Sequence, residues 1–202
     1  PNSNNGTVTG ATLTTDRKGQ SNKAYSFNGT SDYVSVTNPA SLNMSGPQSF
    51  AFWVKRTALV DNADILGKYS GSVGFHIYIG DYNRVFFYLG NGYRFMETSR
   101  ITDSTKWYFI TLVWDGTTMH TYNNGVEDTT GATSAPTSGI NDSIRDFKID
   151  SNNLFAGLLD DVRIYNRALS ATEITALYDS YNPGIVMSDL QKGLVGNWKM
   201  DG

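Results

Sequence analysis

Turn-forming pairs recur about every eight to twelve residues along most of the chain, and no other feature constrains the fold as strongly. They include Asn28-Gly29, Gly80-Asp81, Asn91-Gly92, Asp115-Gly116 and Asn124-Gly125. Asn-Gly and Asp-Gly tolerate the positive φ of the tight turns that join antiparallel strands. Intervals this short leave room for strands but not for the crossover helices of βαβ units. The spacing therefore predicts an all-β chain of antiparallel strands.

The segments between the turns are rich in β-branched and aromatic residues, and several alternate with a period of two. In residues 50–54 and 109–114, side chains of one parity share one face of a strand. All-β domains of about 200 residues are common, so one domain can hold all of these strands. We predict a two-sheet antiparallel sandwich or jelly roll.

One short helix is predicted near the C-terminus. Ser170 and Glu173 have the spacing of a capping box, in which the Ser170 hydroxyl accepts from the Glu173 amide and the Glu173 carboxylate reaches back. Ile174 and Leu177 then fall on one face. The pattern predicts a helix over 171–178, and Pro183-Gly184 prevents its continuation.

Composition excludes several classes of protein. The 202 residues contain no cysteine, which excludes thiol catalysis, disulfide scaffolding and cysteine-ligated zinc. Sixteen basic and nineteen acidic residues are spread along the chain, so no patch suited to nucleic acid is expected. No run of about 18 apolar residues occurs, so we expect no membrane span.

Three segments at residues 24–34, 107–116 and 157–170 carry a family resemblance. In order and spacing they resemble the laminin G-like, concanavalin A-like lectin-glucanase jelly-roll domains of bacterial surface and secreted proteins. The resemblance implies the jelly-roll fold and an extracellular or cell-surface location in bacteria. It is weak for function, because one fold hosts many functions.

The expected first strand of such a domain, similar to Gly-Leu-Val-Gly-x-Trp-x-Met-Asp, stands here at the end of the chain. Residues 1–178 resemble a jelly roll that lacks this strand, 179–192 a linker, and 193–202 the strand itself. Its expected assembly residues are Gly193, Leu194, Val195, Trp198 and Met200. We expect Leu194, Trp198 and Met200 to share one face of this strand.

Two arrangements of the terminal strand stay open. It can complete the sheet of its own chain, as in a circular permutant, or the sheet of the next copy by donor-strand complementation. The chain opens on Pro1 without an initiator methionine, and we favour the second arrangement. The 202 residues are then one repeat period, and the partners are copies of the same chain joined head to tail into a surface filament or tandem array.

Catalytic patterns are sparse, and we predict that the chain is not an enzyme. A β-glucan hydrolase of this superfamily carries a Glu-x-Asp-x-x-Glu strand, but the glutamates are Glu97, Glu127 and Glu173, without that pattern. The histidines are His76 and His120, for which we expect packing or surface roles.

A structural calcium ion is expected from the resemblance, because related jelly rolls hold one near the chain ends. The expected ligands are the carboxylates of Asp160, Asp161 and Asp201, with backbone carbonyls of residues 2–6 nearby. Gly202 departs from the family, which has an acidic residue there. The alternative is an ion pair of the two adjacent aspartates with Arg163 or Arg167.

A glycan platform is the last expectation. Tyr82, Tyr93 and Arg94, with Tyr88 between them, combine aromatic faces with polar groups. The alternative for such aromatics is the sandwich core. Two functions therefore remain: a structural module that assembles with copies of itself, and a calcium-dependent, lectin-like adhesion module that binds a cell-surface glycan.

Overall fold

The structure is a computed structural model that describes residues 4–70, 73–90, 95–97, 100–129, 144–152, 154–179 and 189–200. Within these residues the backbone forms fifteen strands and one α-helix. The strands are β1 (Thr7–Thr9), β2 (Thr12–Thr14), β3 (Ala24–Asn28), β4 (Tyr33–Val36), β5 (Gln48–Arg56), β6 (Ala63–Ser70), β7 (Val73–Ile79), β8 (Val85–Leu89), β9 (Phe95–Glu97), β10 (Tyr108–Trp114), β11 (Met119–Asn123), β12 (Val126–Asp128), β13 (Phe147–Ile149), β14 (Ala156–Tyr165) and β15 (Leu194–Trp198). The helix is α1 (Ala171–Tyr178).

The strands of the described residues form two antiparallel sheets. Sheet I has seven strands in the order β1-β4-β13-β6-β7-β8-β9. Sheet II has eight, in the order β12-β11-β10-β5-β14-β3-β2, with β15 also paired to β14. Apolar side chains from the inner faces of both sheets form one core, as in Phe50 against Phe75 and Phe87. The predicted all-β, two-sheet sandwich is confirmed.

The local turn and helix predictions are confirmed at their residues. Asn124 and Gly125 both have positive φ, 52° and 80°, and join β11 to β12 in a tight hairpin. Helix α1 begins after Ser170, whose hydroxyl accepts from the amide of Glu173, while the Glu173 carboxylate accepts from the Ser170 amide. Asn and Gly adopt the positive φ that the hairpin turn needs, and Ser and Glu at this spacing form the helix cap. Both elements are therefore consequences of local sequence.

Helix α1 covers the outer face of sheet II. Ile174 and Leu177 are buried in a second apolar cluster with Phe109, Val113 and Tyr165. Asp189, Leu190 and Gln191, in the predicted linker, form a 3₁₀ turn, and the side chain of Leu190 is buried in the same cluster. The part of the outer face of sheet II that carries this cluster is therefore packed beneath the helix.

Strand β15 pairs with β14 of its own chain in the structure. The β14 edge pairs with β3 from Ala156 to Leu159 and then with β15 from Val162 to Tyr165. This pairing is the first of the two arrangements expected from the sequence. The second arrangement places a copy of β15 on the same β14 edge, and it stays a prediction.

The expected common face of Leu194, Trp198 and Met200 is wrong. A bulge shifts the register between Ile164 and Tyr165, so Leu194 packs on the outer cluster under α1. Trp198 and Met200 instead join the core between the sheets. An extra residue in one strand turns later side chains to the opposite face, which a strict period of two does not anticipate.

Trp198 closes the core at this end of the sandwich. Its ring stacks on Phe147 at 4.7 Å, and its Nε1 donates to the Asn4 carbonyl at 3.0 Å. The Asn4 side-chain amide donates to the Val195 carbonyl at 2.7 Å. The described N-terminal segment therefore lies beside β15 in space, although the two lie at opposite ends of the sequence.

Candidate functional site

Aromatic side chains line the outer face of sheet I where β6, β7 and β8 lie side by side. In β7, Phe75, Ile77 and Ile79 are buried in the core. Because side chains alternate across a strand, His76 and Tyr78 face outward. The same alternation in β8 turns Phe86 and Tyr88 outward.

The outward rings stack in a nearly parallel series. Tyr69 of β6 lies 4.1 Å from His76, with an interplanar angle of 15°. His76 lies 5.0 Å from Tyr78, and Tyr78 lies 5.6 Å from Tyr88 and 5.1 Å from Phe86. Rings that support one another in this way lose little freedom when a ligand lies on them.

These rings border an open groove of about 390 Å³, which we call the aromatic groove. Its described lining residues are Asn62, Asp64, Tyr69, Val73, Gly74, Phe75, His76, Tyr78, Tyr88, Gly90 and Asn152. The volume falls in the range of small-ligand sites. A few polar groups among aromatic faces are also typical of such sites.

Asp64 organises the polar part of the aromatic groove. One carboxylate oxygen lies 2.6 Å from His76 Nε2, and the other accepts from the Tyr69 hydroxyl at 3.3 Å and from the Ser151 hydroxyl. The Asp64 side chain is only 4% exposed. Its charge is therefore engaged within the protein, and Asp64 acts by holding the Tyr69 and His76 side chains in place.

A bulge in β6 brings Asp64 to the outer face. Asp64 pairs with Tyr78, but Leu66 pairs with Ile77, so Ile65 is an extra residue in the strand. Ile65 and Leu66 are both buried in the core. Without the bulge, Asp64 and Leu66 would share one face, and sequence periodicity alone therefore misses this residue.

The hydrogen bonds define which groups of the aromatic groove can serve a ligand. His76 contacts Asp64 through Nε2, so Nδ1 is the ring nitrogen that can hydrogen-bond a ligand. Burial and the nearby Asp64 charge raise the pKa of the Tyr69 hydroxyl, and burial and the Tyr88 hydroxyl raise the pKa of Tyr78. Both phenols are therefore neutral hydroxyls at physiological pH, which donate to Asp64 and to the Tyr88 hydroxyl and can accept from a ligand.

The predicted ligand residues lie partly at this site. Tyr88 lines the aromatic groove. Tyr82 instead stands in the 3₁₀ turn between β7 and β8, 69% exposed, with the Arg100 guanidinium 5.5 Å from its ring centre. Tyr93 and Arg94 lie outside the described residues. The outward parity of His76, Tyr78 and Tyr88 is a sequence signal that could have found three of the groove residues.

The adjacent aspartates expected to bind calcium contact Arg17. The two guanidinium nitrogens of Arg17 bind Asp160 and, at 2.8 Å, Asp161. Arg163 lies 3.5 Å from Asp161, whereas Arg167 pairs with Glu173. Asp201 lies outside the described residues. Calcium at Asp160, Asp161 and Asp201 stays a prediction, and an ion there would replace the Arg17 guanidinium.

Asp160 and Asp161 occupy a bulge in the middle of β14. The register with β5 shifts between Asp160 and Arg163, and Asp161 has a φ of 48°. This is the point where the β14 edge passes from β3 to β15. Burial raises the pKa of Asp160 to about 6 against the opposing effect of Arg17. The ion pair therefore holds a desolvated carboxylate at a junction of four strands.

The remaining titratable candidates do not converge on the aromatic groove. His120 lies in sheet II on β11, with Nδ1 2.8 Å from Glu127, whereas His76 lies in sheet I.

No group of three or more His, Asp or Glu side chains suited to a metal occurs in the described part of the chain. No helix among the described residues is long and apolar enough to cross a bilayer.

The family model for the concanavalin A-like lectin/glucanases superfamily matches residues 28–175. Because the match covers more than half of the chain, the protein belongs to this superfamily. A search among curated proteins found no match. The family resemblance predicted from the three sequence segments is confirmed.

Solved structures with the same fold include both enzyme-associated and toxin domains. Domain 4 of AbnA, a GH43 extracellular arabinanase from Geobacillus stearothermophilus in complex with arabinotriose, is similar at a TM-score of 0.66 and 21% identity, over 86% of this chain and 88% of that one. Botulinum neurotoxin type C, whose cell entry depends on two ganglioside molecules, is similar at a TM-score of 0.66 and 19% identity. The match covers 89% of this chain and 47% of that one. The binding domain of Paraclostridial Mosquitocidal Protein 1 is similar at a TM-score of 0.65 and 19% identity, over 88% of this chain and 47% of that one. The chain spans about half the length of these two toxin structures, and identities this low establish the fold alone.

Replacing Arg17 with glutamine tests the role of the buried ion pair. We expect the free energy of unfolding at pH 8 to fall by about 3 kcal/mol, because the variant leaves a buried carboxylate without its cation. The pKa of Asp160, already raised to about 6, rises further without Arg17, so the carboxyl is protonated at pH 5. The loss should therefore be clearly smaller at pH 5, as measured by urea unfolding at both values.

Arg163→Gln is the matched control, because Arg163 lies farther from Asp161 and its loss leaves the Arg17 pairs in place. We expect its cost to be the same at pH 5 and pH 8, because Arg163 pairs with Asp161 and Arg17 stays bound to Asp160. An Arg17→Gln loss that was equal at pH 5 and pH 8 would contradict the assigned role of the Asp160 charge. Loss of the contact between Arg17 and the Trp53 ring contributes at both values.

Proposed function

We propose that the chain is a non-enzymatic carbohydrate-binding module and that the aromatic groove is its binding site. The observation that carries the proposal is the outward stack of Tyr69, His76, Tyr78 and Tyr88 beside polar groups fixed by Asp64. The concanavalin A-like fold supports it, since the superfamily includes lectins.

The stacked rings suit the apolar faces of sugars. A pyranose or furanose ring presents C–H groups on its faces and hydroxyl groups at its rim. Tyr69 and Tyr78 flank His76 and are partly exposed, so the parts of their rings that the stack leaves uncovered offer apolar surface to the groove. Removing a sugar face and a tyrosine face from water together stabilises the complex.

The polar groups suit the rim of the sugar. His76 Nδ1 can hydrogen-bond a sugar hydroxyl, and the hydroxyl oxygens of Tyr69 and Tyr78 can accept from one while they donate to Asp64 and Tyr88. The Asn152 side chain lies at the other wall, where its oxygen accepts from the Asp64 amide and its nitrogen donates to the Asn62 carbonyl at 2.6 Å. Polar groups held in advance bind at a low cost in side-chain entropy.

Two structural neighbours are consistent with this proposal. The arabinanase domain has arabinotriose bound, and the neurotoxin acts through gangliosides. We carry from them only the class of ligand, a glycan, and the extracellular setting printed for the arabinanase. The bacterial extracellular or cell-surface location expected from the sequence is part of the same proposal.

Tyrosine variants test the aromatic groove directly. A glycan array that includes arabinotriose, run with calcium and with chelator, identifies the ligands, and calorimetry then gives the affinities. We expect Tyr69→Ala and Tyr78→Ala each to weaken binding about tenfold, since each removes a stacking face worth about 1.5 kcal/mol.

Tyr82→Ala is the matched control, because Tyr82 is an exposed tyrosine outside the described groove lining. We expect its affinity to equal that of the unaltered chain. Loss of binding in Tyr82→Ala with full binding in the two groove variants would contradict the proposed site. Thermal unfolding of all three variants separates lost binding from lost structure.

We further propose head-to-tail assembly as a second function, in which β15 of one copy completes sheet II of the next. The supporting observation is that the side chains of this segment are buried. Val195, Trp198 and Met200 are each less than a tenth exposed. Burying such side chains contributes about 1.5–3 kcal/mol each. An empty β14 edge therefore exposes core surface and favours docking of a β15 from any source.

The length of the connection to β15 limits how far an exchanged strand can reach. Residues 180–188 join the segment after α1 to the 3₁₀ turn before β15. Nine residues can span about 30 Å when extended. A strand passed head to tail from copy to copy gives a filament when the rotation between neighbouring copies does not close a ring.

A cysteine pair distinguishes exchange from intramolecular pairing. Arg163 and Asn197 are directly opposed across β14 and β15, and the chain has no native cysteine. Directly opposed residues of antiparallel strands can satisfy disulfide geometry. In the double variant Arg163→Cys/Asn197→Cys, we expect oxidation to give a ladder of covalent oligomers on a non-reducing gel.

The single variant Asn197→Cys controls for random cross-linking and should give dimers at most. A double variant that forms only an internally linked monomer at every protein concentration would overturn the assembly proposal. The carbohydrate-binding proposal is independent of that outcome.

A further inference from the structure

A second groove adjoins the aromatic groove across the ring of Tyr69. It has a volume of about 450 Å³, and we call it the basic groove. Its described lining residues are Gly67, Tyr69, Ser70, Arg145, Asp146, Lys148 and Ser151. Tyr69 lines both grooves, so a ligand longer than one sugar can extend from one into the other.

The register of sheet I aligns the two grooves. Lys148 of β13 is opposite Gly67 of β6, Gly67 is opposite His76 of β7, and His76 is opposite Tyr88 of β8. These residues form one row across four strands on the outer face. Adjacent strands lie about 4.8 Å apart, so Lys148 and His76 are roughly 10 Å apart along the row.

Gly67 places no side chain above the backbone in the middle of this row. A Cβ atom at this position would lie 2.9 Å from the Tyr69 ring, which is closer than normal packing allows. The glycine thus lets the Tyr69 ring lie over the β6 backbone and stack on His76. The position of the ring that separates the two grooves therefore depends on a residue without a side chain.

The basic groove differs from the aromatic groove in charge. Arg145 and Lys148 both line it, and the buried Lys68 ammonium donates to the Arg145 carbonyl beneath them. One carboxylate, that of Asp146, also lines it and accepts from the Asn38 amide at 2.9 Å. The described lining of the basic groove therefore has two cations against one carboxylate, and the Lys148 ammonium also lies 5.5 Å from the Tyr33 ring centre on the β4 side of β13.

We propose that the glycan bound in the aromatic groove is acidic and that Lys148 and Arg145 bind its anionic group, a carboxylate or a sulfate ester. This inference rests on the proposed carbohydrate-binding function. A sugar that contacts the exposed parts of His76 and Tyr78 places its neighbour in the chain over Tyr69 and toward the basic groove. Cations at that end select a charged sugar because a charge-assisted hydrogen bond is stronger than a neutral one.

Matched pairs of oligosaccharides test this selection by calorimetry. Tetragalacturonate and its fully methyl-esterified form share a backbone and stacking faces but differ in charge. A chondroitin sulfate tetrasaccharide and its desulfated form make the same comparison for sulfate. We expect at least one anionic member to bind about tenfold more tightly than its counterpart, with the difference shrinking as salt is raised.

Lysine variants locate the effect. Lys148→Met keeps the aliphatic part of the side chain and should remove most of the difference in affinity between the anionic and the neutral member. Lys55→Met is the control, since Lys55 lies on β5 in the opposite sheet and should retain the full preference. Thermal unfolding verifies that both variants are folded.

The outcomes separate this inference from the function on which it rests. Equal affinities within each pair, together with binding of a neutral glycan that Tyr78→Ala weakens, would overturn the acidic selection and leave the carbohydrate-binding site in place. An anionic preference that Lys148→Met retains would overturn the role of Lys148. Failure of every neutral and acidic glycan to bind would contradict the proposed function itself.

Discussion

The alternation of side chains in β7 and β8 is the constraint on which the candidate site depends. The core requires Phe75, Ile77 and Ile79 on the inner face of β7, and that requirement turns His76 and Tyr78 to the outside. The same argument applies to Phe87 and Tyr88 in β8. The hydrophobic packing that stabilises the sandwich therefore also builds the outer aromatic face, so the rings are fixed by the fold before any ligand arrives.

Bulges modify this alternation where the site and the chain ends need it. The bulge at Ile65 brings Asp64 out to His76, and the bulge in β14 carries Asp160 and Asp161 to Arg17. A third, opposite Tyr165, sends Leu194 to the outer cluster and Trp198 to the core. In each case one extra residue reverses the face of the later side chains in its strand, at a place where a polar contact or a change of strand partner requires it.

Local sequence predicted the elements better than it predicted the site. Asn124-Gly125 and the Ser170–Glu173 capping box encode their turn and helix through short-range hydrogen bonds and φ preferences, and both are confirmed. The hydrogen bond from Ser151 to Asp64 joins residues far apart in sequence, and no local pattern encodes it. Tyr88 was predicted from its aromatic neighbours, whereas His76 was assigned only a packing or surface role because its register was unknown.

The central claim is that a glycan lies on the outward rings of sheet I, and nuclear magnetic resonance of the complex tests it most directly. In a chain labelled with ¹³C at tyrosine and histidine, titration with a glycan identified by array should move the ring signals of Tyr69, His76, Tyr78 and Tyr88 in a saturable way. Signals of His120 and Tyr165, which belong to sheet II, should stay fixed. Saturable shifts at Tyr82 or on sheet II, with the four groove rings unchanged, would contradict the account.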